Sequence, residues 1–213
     1  AYYMAEEMVR LHPGDHVLVH AAAGGVGTLL VQLCKRRGAV VYGTVGSDDK
    51  IELVRRLGVD HPINYRRETF ADAVRRLRGA DGLDVIFDSL GGSAVRQGMQ
   101  LLGPGGRMVC FGAADHSAGP LQLLRSAKFA ASFGLQHPVP LLMRSKSLIG
   151  VNMLRIADGR PLVLQRCLQA MVDLALSGGI EAIVGARFQA AQLAEAHALL
   201  ESRKSTGKIV VTW

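Results

Sequence analysis

Aromatic residues make up only 5% of the 213 positions, with a single tryptophan. That leaves little to stack on bases and weighs against a nucleic-acid-binding surface. Cysteine is scarce too. Cys34, Cys110 and Cys167 are odd in number and far apart, with no Cys-x-x-Cys pair and no histidine cluster beside them. Neither a disulfide framework nor a zinc site is expected from that spacing, and buried free thiols are. No run approaches the ~18 uninterrupted apolar residues of a membrane span. The opening AYYMAEEMVR carries acidic residues where a signal peptide is basic and then greasy. The chain therefore reads as cytoplasmic, without a membrane span.

What is present is 49% hydrophobic residues, enough for one substantial core with some appended structure. The formal charge of +7 would suit an anionic partner. Its basic residues are spread over helical patterns, however, as in Lys35, Arg36, Arg37 and Arg75, Arg76, Arg78, and read as solvated helix faces.

From His16 to Asp115 short β-branched runs alternate with longer helical patterns, the signature of repeated βαβ units. The expected strands are His16 to His20, Val40 to Val45, Pro62 to Asn64, Leu83 to Asp88 and Arg107 to Phe111, all apolar enough to be covered on both faces. Helices are expected over Val26 to Arg37, Asp48 to Leu57, Thr69 to Arg78 and Ser93 to Leu102. The fold class is α/β, a doubly wound parallel sheet of Rossmann type. A helix over Tyr2 to Leu11 precedes it, stopped by Pro13 and Gly14. After Asp115 a stretch bracketed by Gly119, Pro120, Pro138 and Pro140 reads as a lid or loop, with Leu121 to Phe133 apolar and basic. A strand at Ser147 to Val151, helices at Pro161 to Leu176 and Ala190 to Ser202, and a strand at Lys208 to Thr212 follow. The run SLIGVNML is apolar enough to serve as an edge strand pairing across a two-fold axis.

The segment HVLVHAAAGGVG sets a strand directly before Ala22, Gly24 and Gly27, a GxGxxG pattern with alanine first, and a helix follows at once. Ala22, Ala23, Gly24, Gly25, Val26 and Gly27 are therefore the expected cradle for a dinucleotide. Gly24 would let the backbone approach a pyrophosphate, Gly27 would let helix and strand pack closely, and the helix N-terminus would offer free amides. The alternative is a tight strand-to-helix turn and nothing more.

An NAD site normally carries an acidic residue at the tip of the second strand, about 20 residues beyond the glycines. Here VVYGTVGSDDK offers Thr44, Ser47 and Lys50, a hydroxyl and ammonium set suited to a 2′-phosphate, and hence to NADPH. Asp48 and Asp49 fall slightly later, where they suit the start of a helix. Ser47 reads equally as an N-cap and Lys50 as a solvated helix residue.

The ordered set AAAGGVG, GTVGSDDK, INY, FDSLGG, GGRMVCFGAA and ESRKSTGKIVV resembles the zinc-independent quinone oxidoreductase group of medium-chain reductases, including the zeta-crystallin and vesicle-amine-transport-like branches. The resemblance implies NADPH, with 2′-phosphate contacts from Ser47, Lys50, Tyr65 and Arg203, and a nicotinamide side lined by Leu90, Gly91, Phe111 and Gly112. It implies hydride transfer to a quinone or an α,β-unsaturated carbonyl, no metal in this segment, and a homodimer. It also implies a linking helix over residues 1–14, a dinucleotide-binding domain over 15–180, and a segment 181–213 returning to a GroES-like catalytic domain that nothing here matches. Segments around Ala186 to Phe188 and Lys208 to Trp213 are then expected to lack their usual sheet partners. The fragment alone is expected to be inactive, and no catalytic acid or base is assigned.

Three other readings compete. A methyltransferase would want an acidic residue at the second strand tip. A short-chain dehydrogenase would show Tyr-x-x-x-Lys, and none of Tyr2, Tyr3, Tyr42 and Tyr65 has lysine four residues on. A non-catalytic NADPH sensor or interaction domain has no such marker against it.

Overall fold

The β-branched runs assemble into one sheet because each is apolar on both sides of the pleat. A computed structural model of the chain describes residues 1–112, 132–133 and 137–213. Strands β1 (His16–Val19), β2 (Val40–Val45), β3 (His61–Asn64), β4 (Leu83–Asp88), β5 (Leu102–Cys110) and β6 (Ser147–Gly150) form a six-stranded sheet of order β3-β2-β1-β4-β5-β6. Every neighbouring pair is parallel. Side-chain alternation sends Val17 and Val19 into one core cluster and Leu18 between them into the other. The strand order reverses between β1 and β4, which opens a crevice at the carboxyl ends of those two strands.

Helices α1 (Gly27–Arg36), α2 (Asp49–Arg56), α3 (Phe70–Arg78) and α4 (Ser93–Leu101) fill the crossovers. In α1, Leu30, Val31, Leu33 and Cys34 are wholly buried, while Lys35 and Arg36 close the last turn, where cations suit the helix dipole. Burying each leucine there contributes about 1.5–3 kcal/mol. Thr69 caps α3, its hydroxyl oxygen accepting from the Asp72 amide at 3.2 Å, and Gly79 ends it at φ 70°. The basic helix faces are paired and solvated: Lys35 meets Asp60 at 2.8 Å, Arg76 meets Glu68 at 2.8 Å, and Arg37 meets Glu6.

Several boundaries differ from expectation. Strand β5 begins at Leu102 rather than Arg107, because Leu102 pairs with Leu83 ahead of an irregular register shift that absorbs Gly103, Pro104, Gly105 and Gly106. The opening helix is a short π-type turn, Tyr3–Met8, held by Val9 donating to the Met4 carbonyl and by burial of Met4 and Ala5. Pro138 and Pro140 lie within α5 (Pro138–Met143), whose first turn tolerates a missing amide. The expected lid, Leu121 to Phe133, falls outside the described residues except at Ser132 and Phe133.

Further on lie α6 (Met153–Gly159), α7 (Pro161–Leu176), β7 (Val184–Gln189), a 3₁₀ turn (Ala190–Gln192), α8 (Leu193–Glu201) and β8 (Lys208–Thr212). Strands β7 and β8 pair with each other in parallel, Arg187 opposite Val210 and Phe188 opposite Val211. Each strand fills one edge of the other. Strand β6 lies at the sheet edge, as the sequence suggested. Cys34 and Cys167 are buried free thiols, whereas Cys110 is only partly covered, against the expectation for all three. No helix among the described residues is long and apolar enough to cross a membrane.

Candidate functional site

The turn after β1 is shaped by backbone contacts that glycine alone permits. Ala21 takes a left-handed conformation at φ 51°, unusual for a residue with a Cβ. It is held there by its amide donating to the Thr44 hydroxyl at 3.1 Å, while the Gly24 amide donates back to the Ala21 carbonyl at 2.9 Å. The next residue, Ala22, is fully buried, and its amide donates to the Thr44 carbonyl at 2.9 Å. A Cβ on Gly27 would lie 2.2 Å from the Ala21 carbonyl oxygen, so this glycine sets how closely α1 approaches β1. A Cβ on Gly24 would meet only that same oxygen, at 3.2 Å. Gly24 therefore keeps room that the protein itself does not fill.

Among the described residues, no protein acceptor takes the amides of Gly25, Val26 and Gly27. They stand at the N-terminus of α1, where unpaired N–H groups and the helix dipole favour an anion. Lys208 adds a full charge: a Cβ on Gly25 would sit 3.1 Å from its Cδ and 3.4 Å from its Nζ. The start of β8 brings it there, the preceding Gly207 amide donating to the Ala23 carbonyl at 2.8 Å beside a Gly24–Gly207 bridge.

Two cavities flank this cradle. The smaller, about 200 Å³, has Gly24 on its wall together with Thr44, Lys50, Tyr65, Leu90 and Arg203. The larger, about 710 Å³, lies beyond β5 and β6 and is mostly apolar, with Val26, Phe111, Gly112, Val151 and Met153 on its wall. Gly24 lines one and Val26 the other, so the loop that carries these amides borders both.

The sequence-derived residues divide accordingly. Thr44 is buried, and its hydroxyl is engaged within the protein by the Ala21 amide and by His20 Nδ1 at 3.2 Å. Lys50 is buried rather than solvated, its Nζ donating to the Arg203 and Ser205 carbonyls at 3.0 Å each. Burial lowers its pKa, Asp49 opposes that shift and Arg66 adds to it. Ser47 lies outside the wall of the smaller cavity and bonds the Asp49 carboxylate, holding that carboxyl below its usual range. Asp48 rather than Ser47 occupies the N-cap position of α2. Tyr65 is 46% exposed, with its hydroxyl close over Gly46, where a Cβ would come within 2.5 Å of it. Leu90 belongs to the smaller cavity rather than with Phe111 and Gly112, because the turn after β4 folds toward the glycine loop, and the Gly91 amide donates inward to Asp88 Oδ1 at 2.7 Å.

Sequence reasoning passed over Lys208, Ser89, Ser205 and the His20 and Asp88 pair. His20 and Asp88 end apolar strands at the sheet's carboxyl edge, a position that could have marked them; Lys208 had no local signal, since only β8 places it. Burial drops the His20 pKa to about 4, so the ring is neutral. Burial raises the Asp88 carboxyl, opposed by the Gly91 and Leu90 amides. Burial, and then Asp88, pushes the Cys110 thiol up to about 12.

The sequence profile described as zinc-binding dehydrogenase matches residues 25–169. The chain is similar to a 2-haloacrylate reductase of a Burkholderia species, 32% identical over 211 residues, covering 99% of this chain and 59% of that protein. It is similar to the synaptic vesicle membrane protein VAT-1 homolog of Danio rerio, 34% identical over 214 residues, covering all of this chain and 44% of that protein. The solved structure of Escherichia coli quinone oxidoreductase complexed with NADPH superposes with a TM-score of 0.79 at 25% identity, covering 99% of this chain and 61% of that one. The chain thus spans less than two thirds of the length of these relatives. Among the described residues no group of three histidine, cysteine or acidic side chains is placed to hold a metal ion, so the donors a zinc site needs do not come together there. The cradle does fit a dinucleotide, with unpaired amides for a diphosphate and a cavity to either side.

Proposed function

Because the chain belongs to the zinc-binding dehydrogenase family, in its quinone oxidoreductase and vesicle-amine-transport-like group, we propose that it is the NADPH-holding part of an oxidoreductase acting on a quinone or an α,β-unsaturated carbonyl. The observation that carries this reading is the row of unpaired amides from Gly25 to Gly27 between the two cavities.

In this reading the α1 amides and Lys208 hold the diphosphate, and Gly24 gives it room. Tyr65, Lys50 and Arg203 line the smaller cavity around the 2′-phosphate, with Ser47 just outside. Lys50 retains one N–H beyond the two it gives to carbonyls, and it fixes the 203–205 turn against the site. Among the described residues no acidic side chain stands on that wall, which favours a phosphate over a bare ribose hydroxyl. Phe111, Gly112 and Val151 wall the larger cavity, where an apolar lining keeps water from the reacting face. NADPH, when bound, supplies a hydride from its nicotinamide C4, and the protein's part is to orient it and exclude competing reactions.

Isothermal calorimetry with NADPH and NADH tests the reading. The expected result is NADPH binding at least about tenfold tighter, the equivalent of about 1.4 kcal/mol. Equal affinity would remove the 2′-phosphate assignment, and binding of neither would remove the cofactor. The chain alone is expected to turn over quinones poorly, so a robust quinone reductase rate would contradict that part. The exposed edge of β6 also supports a homodimer. Sedimentation velocity at micromolar concentration should show a dimer, and a monomer would contradict it.

A further inference from the structure

His20 directly follows β1 and Asp88 ends the neighbouring β4 at the strand-order reversal, and both side chains are completely buried. His20 Nε2 and Asp88 Oδ2 lie 3.9 Å apart, and among the described residues neither has a hydrogen-bond partner. Two orphaned polar atoms facing each other in a dry site are costly unless their charges are complementary.

Proton counting settles which atoms carry hydrogen. The Thr44 hydroxyl oxygen accepts from the Ala21 amide and lies 3.2 Å from His20 Nδ1. Its own hydrogen has no other acceptor among the described residues, so it goes to Nδ1. A neutral imidazole then carries its proton on Nε2, the nitrogen facing Asp88. The opposite tautomer would set a lone pair against a carboxylate. Asp88 Oδ1 meanwhile accepts from the Gly91 amide at 2.7 Å. The ring of Phe70 from α3 packs edge-on against the imidazole, 4.6 Å between centres, with Thr44 at its Nδ1 and Asp88 facing its Nε2.

We propose that His20 and Asp88 form a positioning pair in which the His20 Nε2–H is aimed at Asp88 Oδ2, tying the glycine loop to the Ser89–Gly91 turn across the crevice. At 3.9 Å the link is a dipole facing a charge rather than a hydrogen bond, and exclusion of water lets it act over that distance. Ala21 follows His20 directly, and Ser89 and Leu90 follow Asp88, so both ends of the pair are continuous with the wall of the smaller cavity. The consequence for affinity rests on the cofactor reading above; the tautomer does not.

The test combines nitrogen-15 NMR of the His20 ring with NADPH titration of the chain and two variants. The wild type should show the Nε2–H tautomer. In Asp88→Asn the amide oxygen keeps the Gly91 contact and turns its NH₂ toward His20. The ring should then switch to Nδ1–H, donating to Thr44, and NADPH affinity should fall about tenfold. Thr44→Val, which removes the hydroxyl but leaves Asp88, should retain Nε2–H and keeps the proposal testable if Asp88→Asn does not fold. An Nδ1–H tautomer in the wild type or in Thr44→Val would overturn it. So would an Asp88→Asn variant with a switched tautomer and undiminished NADPH affinity. A wild type that binds no NADPH would sink the cofactor reading instead, and the tautomers would still decide the pair.

Discussion

Replacing Gly27 with alanine would set a methyl carbon 2.2 Å from the Ala21 carbonyl oxygen, 2.8 Å from Ala22 Cα and 2.9 Å from the Ala21 carbonyl carbon. All of these atoms are backbone, so no side chain can swing aside. Restoring ordinary contact requires α1 to retreat by about 1 Å, given that carbon and oxygen atoms pack at about 3.5 Å. That retreat would loosen Leu30, Val31 and Cys34, each at 0% exposure. Overpacking in a dense core costs about 1–3 kcal/mol, and a backbone clash on this scale belongs at the upper end, about 3 kcal/mol. For a chain of this length that corresponds to a fall of about 6–12 °C in Tm. The comparison that isolates the reasoning is Gly24→Ala, whose methyl would meet only one oxygen at 3.2 Å and requires no left-handed backbone. Its folding cost should stay below about 1 kcal/mol, while NADPH affinity should drop at least about tenfold. Urea unfolding and NADPH titration of both variants provide the readout. A Gly27→Ala protein as stable as wild type would refute the packing argument, and a Gly24→Ala protein with full affinity would refute the cradle.

Lys50→Met should lower NADPH affinity by about 1.5–3 kcal/mol, the usual loss for a charge-assisted contact, and speed amide hydrogen exchange around 203–205; an equal loss for NADH would undo the phosphate assignment. His20 stays unprotonated in the fold down to about pH 4, against an ordinary value of 6.5. Between those values the unfolded chain takes up a proton that the folded chain refuses, so stability should fall with acidification by up to about 3 kcal/mol. Asp88, with its pKa raised, works in the opposite sense and offsets part of this. His20→Gln should flatten the dependence of urea midpoint on pH, and a slope as steep as wild type would contradict the assignment. Cys34 and Cys110, both pushed to about 12, hold on the order of 10⁻⁴ thiolate near pH 8 and should react slowly with a disulfide reagent until unfolded; fast labelling of either in the native state would count against that.

The sheet was legible because its evidence is local. The β-branched runs before Gly24, Gly43 and Ser89 needed no knowledge of distant residues, and neither did the glycine spacing at the first crossover. Boundaries slipped where tertiary pairing overrode propensity, as at Leu102, recruited into β5 by Leu83 despite three glycines and a proline after it. The candidate site was legible as a list of residues, but not in what each side chain does there. Nothing in GTVGSDDK reveals that Thr44 faces inward, or that Lys50 reaches carbonyls 153 and 155 positions away. Lys208 was out of reach for the same reason: its place by α1 depends on how β8 docks.

That docking has a kinetic consequence. The cradle opens within the first crossover, yet it is completed by the turn that Lys50 grips and by Gly207 resting against Ala23. Contacts of such long sequence separation form slowly and late. A newly made polypeptide would carry a half-built cradle until residues 203–208 are in place against Ala23 and Lys50.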